Sequence, residues 1–213
     1  MSQTQSRVER NRAVAEVISL LDEGYRSTIV ALQTGVAITM VRACYTELYA
    51  SKVPAASGSL PDASIILANN NRSGNILEAS ILMAIYTRMG GEAVKTSINM
   101  DILTRSYRIY LAVRQTYDQR GDNRLLDINR AWVLARDYRC RLVSIEKCNC
   151  CGTHYAYFVH NEKKCGFCVT SKPRAADAHI HLGSEMSALL PMFAQYDDQM
   201  GEASRQLANQ WAQ

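Results

Sequence analysis

The feature that most narrows what this chain can fold into is CNCCGTHYAYFVHNEKKCGFC, residues 148–168. Cys148 and Cys151 form one C-x-x-C pair, and Cys165 and Cys168 form a second, thirteen residues after the first. Two such pairs bring four sulfurs into a tetrahedron, the arrangement zinc prefers. Gly152 and Gly166 suit the tight turn at each pair, where backbone N–H groups approach the sulfurs. Cys150 lies inside the first pair but outside its spacing and reads as a bystander. A redox C-x-x-C works as one pair at a helix start in an α/β fold, a pattern absent from this sequence. A catalytic zinc keeps an open position with mixed ligands, and His154 and His160 stand close by. Four thiolates already complete a shell, however, and His179 and His181 bring no third partner. The expectation is one structural Zn2+ per chain, held by Cys148, Cys151, Cys165 and Cys168, and no enzymatic activity.

Composition agrees with a cytoplasmic address. The 213 residues are 47% hydrophobic and 21% charged, enough to bury a core and too apolar for a disordered chain. No run approaches the roughly 18 consecutive apolar residues of a membrane helix. The start, MSQTQSRVERNRAVAEV, lacks a signal-peptide pattern, so thiols or metal ligands are expected rather than a disulfide framework. Net charge is +4, unevenly spread. Residues 1–100 hold 9 basic and 8 acidic groups, residues 101–174 hold 14 and 7, and residues 175–213 hold 1 and 5. The basic middle predicts a polyanionic partner such as nucleic acid.

Helical periodicity dominates the first two thirds. Val14, Val17, Ile18 and Leu21 form one stripe ending near Gly24. A second segment breaks into two helical patterns at Gly35, and residues 53–64 read as a turn-rich loop. Residues 75–89 are apolar nearly all round and predict a buried helix that wants a further subunit against it. Residues 98–117 predict a long helix with Ile102, Ile109 and Val113 inward and arginines outward. Leu125, Ile128, Trp132 and Ala135 make one stripe over 125–138. From Cys140 the pattern changes, with RLVSI and HYAYFVH as strand candidates. Beyond Pro173 lies an acidic tail in which Leu189, Phe193, Tyr196 and Met200 recur at helical spacing. The expected organisation is mainly α: a helical domain over 1–139, a small four-cysteine, zinc-ribbon-like module over 140–174, and a partly helical tail over 175–213.

Within the helical domain, Ala31, Gly35 and Val41 have the spacing of a helix-turn-helix over 27–49: a small residue, a glycine at positive φ, and an apolar lock. Leu32, Val36 and Tyr45 are expected to pack the two helices together. The second helix would then expose Ile38, Thr39, Arg42 and Thr46. An ordinary helical hairpin with a glycine turn has the same pattern. Thr39 and Arg42 are the candidates for base contact, and Arg136, Arg139 and Arg141 for phosphate contact beside the cysteine module.

The strings LVSIEKCNCCGTHY, KCGFC and LDINRAWVLARDY, preceded by RSYRIYLAVRQ and by a helix-turn-helix-like segment ending in LPDAS, together resemble the FlhC family over roughly residues 8–175. The resemblance implies a mostly helical fold with zinc on the four cysteines matching 148, 151, 165 and 168. It further implies a complex of four FlhD with two FlhC subunits, binding to promoter DNA, contact with RNA polymerase, and activation of flagellar operons. Two other classes fit parts of the pattern. A zinc-dependent nucleic-acid-processing enzyme needs an open metal site and an acid or base such as the H-x-E of deaminases, and no H-x-E occurs. A zinc-stapled protein–protein adaptor leaves the basic block unexplained.

Overall fold

The computed structural model describes residues 7–49, 58–68, 73–117 and 126–170. The acidic tail, Leu125, His179, His181 and residues 53–57 of the 53–64 loop lie outside them. Among the described residues are eight α-helices and one two-stranded sheet, so the mainly helical expectation holds.

Helix α1 (Arg7–Asp22) buries Val17, Leu20 and Leu21, with Val14 and Ile18 at the edge of the same stripe. Gly24, at φ +88°, turns the chain into α2 (Ser27–Thr34), which buries Ile29 and Val30. Gly35 ends α2 at φ +70°, donating its N–H to the Ala31 carbonyl, and α3 (Ile38–Tyr49) follows, locked by the fully buried Val41. Val36 and Tyr45 pack against the core as expected. Leu32 does not: it is 68% exposed, because Ile29 and Val30 already supply the inward face of this short helix.

The single turn α4 (Ala63–Ile66) leads to α5 (Ser73–Gly90), which buries Ile76, Ala79, Leu82, Met83, Ile85 and Tyr86. This is the nearly all-round apolar helix that the sequence predicts, with Glu78 and Ser80 buried among its apolar residues. After Gly91 and a 3-10 turn at Ala93–Lys95 comes α6 (Met100–Tyr117). Its inward face differs from the apolar reading. Leu103, Thr104, Ser106 and Tyr110 are buried, while Ile102, Ile109 and Val113 sit half-buried at the margins. The polar groups can be buried because each is satisfied: Ser106 donates to the Ile102 carbonyl at 2.7 Å, Thr104 pairs with Tyr25 at 3.1 Å, and Tyr110 donates to Glu78 at 2.6 Å. Arg114 likewise turns inward rather than out, its Nε 2.8 Å from the buried Glu78 carboxylate.

Helix α7 (Ile128–Arg139) starts at Asp127, whose carboxylate accepts from the N–H groups of Asn129 and Arg130, both at 2.9 Å. Ile128, Trp132 and Ala135 are buried, but so are Asn129, Ala131, Val133, Leu134 and Asp137, so the expected stripe is part of a central, nearly enclosed helix. Asn129 ties it to the α1–α2 turn by accepting from Arg26 N at 2.8 Å and donating to the Gly24 carbonyl at 3.2 Å. The chain then forms β1 (Val143–Lys147) and β2 (His154–Phe158), an antiparallel hairpin pairing Val143 with Phe158 and Lys147 with His154, and closes with α8 (Gly166–Thr170). Both β2 and α8 rest on α5. Ala156 N donates to Ser80 Oγ at 3.0 Å, and Gly166 fits so closely that a Cβ there would meet Leu77 N at 2.9 Å.

Candidate metal centre and nucleic-acid surface

The hairpin delivers the first two cysteines. Cys148 follows β1 directly, and its N–H donates across the neck of the loop to the Thr153 carbonyl at 2.9 Å. Gly152, at φ +73°, lets its own N–H reach the Cys148 carbonyl at 2.9 Å, which folds Cys151 back toward Cys148. The second pair arrives at α8: Cys165 stands just before its first residue and Cys168 within it. Tyr155 and Tyr157 of β2 wall in Cys165, the one buried cysteine of the four. Glu146 fastens the hairpin to the returning chain, accepting from Tyr157 at 2.5 Å and from Lys163 at 2.6 Å.

The four sulfurs lie within 4.8 Å of one another, with Cys148–Cys168 and Cys151–Cys165 each at 3.7 Å. Zinc–sulfur bonds of about 2.3 Å in a tetrahedron require S···S edges of about 3.8 Å. Two of the edges match that spacing and the rest lie within 4.8 Å, so the four thiols could hold a thiophilic metal ion. Burial pushes the Cys165 and Cys168 thiols up. At Cys151 burial is outweighed by hydrogen bonds from Thr153 and from Cys168 and Cys165, which bring its thiol down to about 6. Thus one thiol of the set already favours its charged form near neutrality, before any cation adds its attraction.

The nucleic-acid candidates fall into two regions. Thr39 and Arg42 are both exposed, one turn apart on α3 beyond the Gly35 turn, with Thr46 exposed a further turn on; Ile38 is half-buried. Arg139 and Arg141 are exposed where α7 gives way to β1. Arg136 is more enclosed: Nε and Nη2 donate to Asp137 at 2.7 and 3.2 Å, and the guanidinium lies 5.5 Å from the Trp132 ring centroid. Sequence reasoning missed three things here: the buried Asp137, the inward Arg114–Glu78 pair, and the left-handed backbone of Arg141 at φ +61°.

Among the described residues no helix is long and apolar enough to cross a membrane. Comparison with known proteins gives a consistent picture. The family model described as "Flagellar transcriptional activator (FlhC)" matches residues 2–181. A flagellar transcriptional regulator FlhC of Paraburkholderia atlantica is 25% identical over 160 residues, covering 74% of this chain and 69% of the relative. One of Serratia marcescens is 23% identical over 202 residues, covering 92% of this chain and 96% of the relative.

Proposed function

The chain belongs to the FlhC family of flagellar transcriptional activators, and on that footing we propose that it is a DNA-binding activator subunit that works with FlhD and carries one structural zinc ion. The family match over nearly the whole chain carries this reading, and the close cluster of four cysteine sulfurs supports it. Cys148, Cys151, Cys165 and Cys168 would hold the ion. Bound there, zinc supplies closure of the hairpin onto α8, and four thiolates leave no open position for a catalytic water. The assembly is four FlhD with two copies of this chain, and contact with RNA polymerase at flagellar promoters belongs to the same reading.

DNA recognition is divided between two surfaces. Arg139 and Arg141 neutralise phosphates and release counterions, which makes affinity fall steeply with salt. Arg136 joins them with fewer free donors, since Nε and one N–H of Nη2 are committed to Asp137. Thr39 and Arg42 read base edges from α3. The test is fluorescence anisotropy of the complex reconstituted with FlhD, on operator and random duplexes across a salt series. Arg139→Ala should weaken both duplexes alike and shrink the salt slope by about 1. Thr39→Ala or Arg42→Ala should cost about 1–3 kcal/mol on the operator alone. Unchanged discrimination in both α3 variants overturns the recognition role of that helix. For the metal, Cys168→Ser should lower zinc content and solubility together, and full zinc occupancy in that variant overturns the assignment.

A further inference from the structure

The hairpin has two faces, because successive side chains of a strand point to opposite sides. Val143, Ile145, Ala156 and Phe158 lie on the face turned to the core. The opposite face carries Tyr155 and Tyr157, against which Cys165, Phe167 and Cys168 of the returning chain pack. At the base of the hairpin that face is open. There Val159 N donates to the Leu142 carbonyl at 2.9 Å, one step beyond the Val143–Phe158 pair, and both Leu142 and Val159 are exposed. Arg139 and Arg141, immediately ahead of Leu142 in the chain, are exposed as well. Arg136 and Lys163 answer Asp137 and Glu146, but neither Arg139 nor Arg141 has a carboxylate partner among the described residues. An apolar pair next to two unanswered cations is thus left uncovered.

The chain beyond α8 carries the complementary groups. Residues 175–213 hold 5 acidic groups and 1 basic. Leu189, Phe193, Tyr196 and Met200 recur among them at helical spacing, accompanied by Asp197, Asp198 and Glu202. The tail also starts close by. Helix α8 ends at Thr170, two residues after Cys168, which packs on this same face. The stretch from 171 to 189 can extend about 60 Å, against roughly 17 Å for the length of the hairpin. We infer, resting on the phosphate reading of Arg139 and Arg141 above, that residues 189–202 dock on the Leu142–Val159 pair with their carboxylates against those arginines, so that the tail competes with DNA for them. A tethered segment is held at an effective concentration on the order of millimolar, so a weak contact suffices to occupy the patch.

The experiment uses the full-length chain in complex with FlhD, with p-benzoylphenylalanine in place of Phe193. Irradiation and peptide mapping should place the cross-link on the segment around Leu142 or Val159 within one chain, leaving its mass on a denaturing gel unchanged, and excess duplex should suppress it. Anisotropy at low salt then follows DNA binding. Phe193→Ser alters no charge, yet it should tighten operator and random duplexes alike by several-fold. Asp197→Asn combined with Asp198→Asn should do the same, and Val159→Ser should lower the cross-link yield and tighten DNA as well. A cross-link to FlhD, to a second copy or to a surface away from the hairpin overturns the docking. Tightening by the Asn pair but not by Phe193→Ser overturns it too, since plain repulsion between tail and DNA would act that way. A cross-link at the hairpin with DNA affinity unmoved in every variant overturns the competition. If Arg139→Ala leaves DNA binding unchanged, the phosphate reading fails and takes the competition with it, while the cross-link decides the docking by itself.

Discussion

At the scale of single residues, Arg141 is where two demands on the chain collide. The end of α7 is a Schellman turn: Leu142 N donates to the Asp137 carbonyl at 2.9 Å and Arg141 N to the Tyr138 carbonyl at 3.0 Å. The residue between must take positive φ, a place glycine fills freely and an arginine occupies at a cost of about 1 kcal/mol. Arg141→Gly should therefore raise stability by about 1 kcal/mol, seen as a higher melting temperature, while weakening DNA in the anisotropy assay. A lower melting temperature would show that the arginine is there for the fold. Asp137 makes the opposite case. Its buried carboxylate accepts from Arg136 and, at 3.3 Å, from the N–H of Ala63 at the start of α4. Asp137→Ala leaves both donors unanswered and should cost about 2–3 kcal/mol in a urea titration, with Asp137→Asn costing less. The clustering of Cys148, Cys151, Cys165 and Cys168 was legible in the sequence because C-x-x-C spacing dictates local geometry by itself. Asp137 and Arg141 were not, since their roles depend on α4 and on the direction the chain takes after α7.

At the scale of elements, the same distinction separates what periodicity revealed from what it concealed. The α2–Gly35–α3 turn was readable because only a few residues tolerate its backbone, and α5 because apolar residues so outnumber its few polar ones, Glu78 and Ser80 among them. On α6 the apolar count pointed to Ile102, Ile109 and Val113, yet the buried face runs through Ser106 and Tyr110. A hydrophobicity pattern cannot reveal that a hydroxyl will find Glu78, which comes from another helix. Leu32 was misplaced for a related reason: an eight-residue helix needs few inward residues, and two stronger candidates preceded it. The junction of α8 with α5 offers a direct test. Gly166→Ala places a methyl 2.9 Å from Leu77 N and 3.1 Å from Ile76 Cγ2, and backbone cannot yield as a side chain can. We expect about 1–3 kcal/mol of destabilisation together with faster loss of zinc to a chelator. Unaltered chelation kinetics would mean that the metal site does not depend on this contact.

For the whole molecule, buried tyrosines set an alkaline limit. Burial pushes the hydroxyls of Tyr25, Tyr86, Tyr107 and Tyr110 above their ordinary value of 10.0, and at Tyr110 the hydrogen bond to Glu78 pushes further. Unfolded, these groups ionise near pH 10; folded, they hold their protons beyond it. The folded state thus binds more protons above that pH, so its stability is intact below about pH 10 and falls as pH rises past it. Phenolate absorbance in an alkaline titration should show these four appearing together with the loss of helical circular dichroism; gradual ionisation with the helices intact would contradict this. The seam between hairpin and helix has a consequence of another kind. A lone two-stranded hairpin is marginal in water, and here a side chain of α5, Ser80, completes its bonding while α8 rests on the same helix. The cysteine segment is therefore a poor candidate for grafting: moved to another scaffold, it would take its sulfurs along and leave its supporting wall behind. Ser80 and Gly166, distant in sequence, are two halves of that wall: one meets the hairpin and the other seats α8 on the same helix.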